Sequence, residues 1–227
     1  MAAYDLEEQE QIAEIKAWWK QYGNLVLGLL TAASLAVLGW QGWNWYQRSQ
    51  GAQASTVYAV LQKAIQENDM QRVKAASGEL IEKFPGTAFA PLAALTAAKV
   101  FNEAGDSKTA KLQLAWVVEH GRDEIRDLGR LRLATLLIDE KAYDEALQQL
   151  ATPGSAAFAV RFADSRGDVL AAQGKKSEAK AAYQTALNQL IDEDKSTAEK
   201  NTLQAAQANA AYRELLQLKL DALGESQ

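Results

Sequence analysis

An all-α fold follows from this sequence: one N-terminal helix that crosses a membrane, then a domain of helical hairpins closed by a final helix. Three observations predict it. Residues 21–47 carry no charged side chain and are flanked by aromatic clusters. The chain has three prolines and is rich in alanine and glutamine, which favours helix almost throughout. A pattern of small and large side chains then recurs in the remainder every 33 to 36 residues.

The first 20 residues form a short acidic tail. Asp5, Glu7, Glu8, Glu10 and Glu14 outweigh Lys16 and Lys20. Residues 21–47 follow as the membrane helix, closed by Lys20 and Arg48. A bilayer core needs about 20 mainly apolar residues, and this run exceeds that. Trp18, Trp19 and Tyr22 make one aromatic belt; Trp40, Trp43, Trp45 and Tyr46 make the other. Tryptophan and tyrosine suit the headgroup level, where the ring lies in lipid and the N–H or O–H stays wet. Ala52-Gln53-Ala54 resembles a cleavage site, but the preceding tail is acidic and the apolar run exceeds the roughly 7–15 residues of a signal peptide. The helix is therefore expected to remain as an anchor. Lys16 and Lys20 lie before the span and Arg48 is nearly alone after it, which leans towards a cytoplasmic N-terminus and an exported domain. Gly28, Ala32, Ala36, Gly39 and Gly42 fall on one stripe, the kind of surface over which two membrane helices approach closely.

Residues 48–56 read as a linker and 57–227 as the repeat domain. Within it, LATLLIDEKAYDEALQQL (133–150) matches RGDVLAAQGKKSEAKAAY (166–183). Each has a small residue (Ala134, Gly167), a large one three later (Leu137, Leu170) and a turn near Lys141 or Gly174. A second small residue (Ala146, Ala179) and another large one (Leu150, Tyr183) follow. An earlier copy has Ala98, Phe101, Gly105, Ala110 and Leu114, and a degenerate first copy has Ala64, Gln71, Ala76 and Leu80. This is the period of tetratricopeptide repeats, in which no hairpin buries its own faces and stacking makes the core. Four copies in register favour that reading over a generic helical bundle. Small residues let paired helices approach, so Ala134 is expected against Ala146 and Gly167 against Ala179. Pro85 and Gly86 stop one helix and Pro91 starts the next. A last helix from about Thr197 to Leu223, with Leu203, Ala206, Ala210, Leu216 and Leu220, caps the stack.

Such a stack exposes a concave face along the first helix of each pair. Counting from Ala98, Ala134 and Gly167 puts Lys99, Asn102, Thr135, Ile138, Asp164 and Asp168 there as candidate partner contacts. Their mixed polarity with little net charge suits weak contact with extended chains rather than an acidic or basic motif.

No catalytic constellation is expected. His120 is the one histidine and cysteine is absent, so thiolate nucleophiles, disulfides and multi-histidine metal sites are excluded. His120 before Gly121 reads as a helix C-terminus, and Asp144-Glu145 as a first turn, both placed to suit the helix dipole. Asp192-Glu193-Asp194 reads as a solvated loop leading to a cap at Ser196 or Thr197. There is no Gly-rich phosphate loop. The net charge of −5 gives no support to nucleic-acid binding. No cofactor, metal or small-molecule substrate is implied.

The whole chain resembles the YfgM family of ancillary subunits of the bacterial SecYEG translocon. The most specific local match is Asp164-Ser165-Arg166-Gly167-Asp168-Val169-Leu170, followed by Gln173-Gly174-Lys175-Lys176 and Ala179. The resemblance implies a single-pass inner-membrane protein with a periplasmic repeat domain. It also implies association with SecYEG and the membrane-anchored chaperone PpiD, and a role in handing over exported polypeptides, without catalytic residues. The alternative is a structural scaffold of an envelope or cell-division complex that never meets client chains.

Overall fold

The computed structural model describes the backbone of residues 2–197 and 203–224, with side chains for 11–195 and 207–224. The described residues form nine α-helices and one 3-10 turn, without strands. Helix α1 (Ala2–Gln66) is 65 residues long. It runs unbroken because the prolines stand at 85, 91 and 153, beyond its end. Residues 48–56, expected as a linker, belong to this helix, and the boundary between two compact units falls inside it, between Gln53 and Ala54.

In the first unit the side chains of Leu25, Leu27, Leu29, Leu30, Leu35 and Leu38 are all exposed. A soluble core helix would bury these, since each square ångström of apolar surface left in water costs about 25 cal/mol. Among the described residues α1 is the one helix long and apolar enough to cross a bilayer. The Trp18 ring lies 6.5 Å from Trp19 and 5.8 Å from Tyr22, and Trp43 lies 6.1 Å from Tyr46. At the α-helical rise the two belts are roughly 35 Å apart, enough to straddle a hydrocarbon core of about 30 Å.

The second unit begins with residues 54–66 of α1, which pair with α2 (Met70–Lys83). Then come α3 (Phe89–Glu103) with α4 (Ser107–His120), α5 (Asp123–Asp139) with α6 (Tyr143–Gln149), and α7 (Ala159–Ala172) with α8 (Lys176–Thr197). Helix α9 (Leu203–Gly224) follows. All four hairpins turn in the same way. Asn68, Gly105, Lys141 and Gly174 each adopt positive φ. The next residue in each case donates its N–H back five positions, as in Asp106 to the Phe101 carbonyl (2.8 Å) and Lys175 to Leu170 (2.9 Å). The positive-φ residue itself donates to the carbonyl three back. This pair of hydrogen bonds satisfies two orphan carbonyls and reverses the chain in few residues. Asp69 and Asp106 then serve as N-caps, accepting from the amides of Arg72 and Thr109 at 3.0 Å.

These turns correct the register of the first repeat. Its turn is at Asn68, not Gln71, which lies inside α2. Aligned on the turns, Leu61 stands where later repeats have Ala98, Ala134 and Gly167, and Ala64 where they have Phe101, Leu137 and Leu170. Large and small have exchanged places, and both Leu61 and Ala64 are fully buried.

Elsewhere the small positions pack as their size demands. Ala98, Ala110, Ala134, Ala146 and Ala179 are all buried. Gly167, however, meets the ring of Tyr183 most closely, rather than Ala179. One apolar cluster runs from Ala54 to Val169, and a second joins Ala179, Tyr183, Ala186 and Leu190 to Leu216 and Leu220 of α9. Thus α9 caps the last hairpin, as expected; the side chains of Leu203 and Ala206 lie outside the described residues. Asp192, Glu193 and Asp194 are part of α8, not a loop, and Thr197 ends that helix. His120 and Asp144-Glu145 occupy the expected helix ends. Pro85 follows the end of α2, and Pro91 sits in the first turn of α3.

The connection from α6 to α7 is tied down by charged side chains of α5 and α7. Asp127, fully buried, accepts the amides of Gly154 (3.0 and 2.9 Å) and Ser155 (2.8 Å). Arg130 donates to the Thr152 carbonyl at 2.7 Å, and Arg166 to those of Leu150 and Ala151. A segment without helical bonds of its own thereby finds partners for its polar groups.

Candidate interaction groove

The first helices of successive hairpins line a continuous depression. Lys99 and Asn102 of α3 and Thr135 of α5 border a cavity of about 350 Å³ whose wall includes Ala98, Leu114 and Leu136. A second, of about 470 Å³, lies between Leu128, Leu131 and Thr135 of α5, Arg161, Asp164 and Ser165 of α7, and Asn209 and Tyr212 of α9. Arg132 and Thr135 border both, so the two form one groove.

Of the six residues proposed from spacing, Lys99, Asn102, Thr135 and Asp164 line this groove. Ile138 packs against the core as a half-buried side chain. Asp168 lines neither cavity, and its carboxylate is engaged within the fold. It accepts from the Tyr183 hydroxyl at 2.8 Å and from Lys219 at 2.7 Å. Lys219 also reaches Asp164 at 2.7 Å, and the Tyr212 hydroxyl donates to Asp164 at 2.9 Å. Asp164 is 9% exposed, so its charge is met by α9 rather than by solvent.

The titration of these groups follows from that arrangement. Burial pulls the Lys219 ammonium towards its neutral form, but the hydrogen bonds to Asp164 and Asp168 outweigh it, leaving its pKa raised. Burial, then the adjacent carboxylate, pushes the phenols of Tyr183 and Tyr212 well above the usual tyrosine value.

Spacing missed Arg132 and Arg161. Arg132 is fixed across the groove floor by donating to the Leu95 carbonyl of α3 at 3.0 Å. The arginine ion pairs among the described residues involve Arg72, Arg130 and Arg213, and neither of these two. The sequence signal available was the pair of arginines on first helices, unmatched once Asp164 is assigned to Lys219.

On the anchor, Gly28, Ala32, Ala36, Gly39 and Gly42 are exposed. A Cβ built on Gly28, Gly39 or Gly42 would meet nothing within 4 Å beyond its chain neighbours and the adjoining helix backbone, whereas Gly23 is covered by the Trp19 ring. No group of three or more histidine, cysteine or carboxylate side chains able to hold a metal occurs among the described residues.

A family model described as a tetratricopeptide repeat-like domain matches residues 16–225. Several relatives carry the name Ancillary SecYEG translocon subunit. One from Neisseria gonorrhoeae is 33% identical over 225 residues, covering 98% of this chain and all of that protein. One from Haemophilus influenzae is 31% identical over 185 residues, covering 81% of this chain and 90% of its own. One from Escherichia coli is 29% identical over 182 residues, with 78% and 85% covered.

Proposed function

Because this chain belongs to the tetratricopeptide repeat-like family of ancillary SecYEG translocon subunits, we propose that it is a membrane-anchored interaction module of that translocon. Helix α1 holds it in the inner membrane with the repeat domain in the periplasm. The groove takes extended stretches of polypeptides emerging from SecYEG and passes them to a periplasmic chaperone of the PpiD kind. The stripe from Gly28 to Gly42 docks against another membrane helix, where close backbone approach replaces the missing hydrophobic drive. No catalysis is part of this function.

The observation that carries this reading is that the relative from Neisseria gonorrhoeae matches anchor and repeats together, over its whole length. The uncovered apolar helix and the groove support it from the physical side. Solubilising membranes in a mild detergent and recovering the intact chain tests it. SecYEG should come with it, and protease added to spheroplasts should digest the domain. Absence of SecYEG while the translocon itself stays assembled would overturn the association. A domain protected in spheroplasts would overturn the orientation.

A further inference from the structure

The groove carries an unbalanced charge. Asp164, the acid on its wall, is bound at 2.7 Å by Lys219 and at 2.9 Å by Tyr212. What remains facing the same cavity is Arg132 and Arg161, with no carboxylate in ion-pair distance of either among the described residues. Lys99 stands further along, loosely paired with Glu103 at 3.7 Å. Between these cations lie Leu128 and Leu131, which can cover apolar side chains.

We propose that this groove selects extended segments of other polypeptides that carry acidic side chains, with Arg132 and Arg161 as the carboxylate-binding groups. The proposal rests on the groove being the polypeptide-binding surface. A guanidinium presents several N–H donors in a rigid fork that matches a carboxylate. Arg132 is already held by the Leu95 carbonyl, so little of its freedom is lost on binding. The fork on Arg161 is exposed and makes no hydrogen bond among the described residues, so a ligand gains it without breaking a native contact. Helix α9 acts as a positioning element, because its Lys219 and Tyr212 engage Asp164 and leave the two guanidinium groups as the unpaired charges of this cavity among the described residues.

The test uses the full-length protein in detergent micelles and a labelled peptide of about twelve residues, roughly 40 Å when extended. One peptide alternates glutamate and leucine with serine; its control has glutamine for glutamate. The glutamate peptide should bind at least about tenfold more tightly, and weaken as salt screens the contact. Arg161→Glu, an exposed change, should abolish that preference. Arg132→Gln should reduce it in a protein whose helical spectrum is unchanged. Thr135→Trp, which fills the groove, should weaken both peptides. Equal binding of the two peptides, both lost in Thr135→Trp, would reject the acidic preference and leave the groove standing. Binding indifferent to both Arg161→Glu and Thr135→Trp would reject the preference and the groove together. Failure of the glutamate peptide to bind would also reject the proposal.

Discussion

Lys219, in the last helix, lies 2.7 Å from both Asp164 and Asp168, one turn apart on α7. One ammonium thus bridges two carboxylates that would otherwise repel each other, and it does so over the face of Tyr183, 5.3 Å from the ring centroid. The contact joins residues more than fifty positions apart and fixes which side of α9 faces the repeats.

Replacing Lys219 by methionine keeps the side-chain volume and leaves the buried Asp164 and the partly exposed Asp168 without a cation, each still held by one tyrosine hydroxyl. Unfolding in urea should show a loss of about 1–3 kcal/mol, below the full cost of breaking a buried pair because Lys219 and Asp168 are partly exposed. The same change introduced with Asp164→Asn and Asp168→Asn should cost far less. Equal losses in the two backgrounds would show that the three charges do not interact.

The same cluster sets an alkaline limit. Lys219, Tyr183 and Tyr212 all have folded pKa values raised above their ordinary ones. Their contribution is complete below the unfolded values, about pH 10, and is lost as pH rises through the folded ones. Urea midpoints should fall as pH rises above about 10. The combined Lys219→Met, Tyr183→Phe, Tyr212→Phe variant should fall less steeply than the native chain.

Gly167 has no room for a side chain. A Cβ there would lie closer to the Tyr183 ring than carbon atoms approach in real proteins. Gly167→Ala should cost about 1–3 kcal/mol by overpacking. Tyr183→Leu should recover part of that loss; an unaffected Gly167→Ala protein would show that α7 and α8 are not in van der Waals contact there.

Asp127 closes the gap between the third and fourth hairpins through three amide contacts. Asp127→Ala leaves those donors without partners, at a cost of about 2–4 kcal/mol. Amide exchange at Gly154 and Ser155 should quicken before that of α7 does. Unchanged protection at both amides would contradict the assignment.

The repeat was legible because three of its four turns carry its clearest marks: Gly105 and Gly174 tolerate positive φ freely, and Lys141 lies at the matching position. The first turn was misplaced because it uses Asn68 and because Leu61 and Ala64 exchange the usual sizes. Asp192 to Asp194 looked like a loop from charge alone, yet one helical turn accommodates them, with Asp194 taking Asn209 at 2.7 Å from α9. The groove's position was legible from the counts at Ala98 and Ala134. Its charge was not, since Lys219, which bridges Asp164 and Asp168, and Tyr212, which donates to Asp164, lie on α9, which spacing within a repeat does not reach. Asp127 escaped notice because a mid-helix aspartate resembles any solvated one until the loop it holds is seen.

We propose that the concave face, and not the back of the hairpins, meets polypeptide at the translocon. A photo-crosslinking residue placed at Thr135 in the groove, and separately at the exposed Leu112 on α4, tests it most directly in intact membranes during export. Adducts to exported chains should form from position 135 and few from position 112. Adducts from position 112 alone, with none from position 135 in a folded protein, would contradict it.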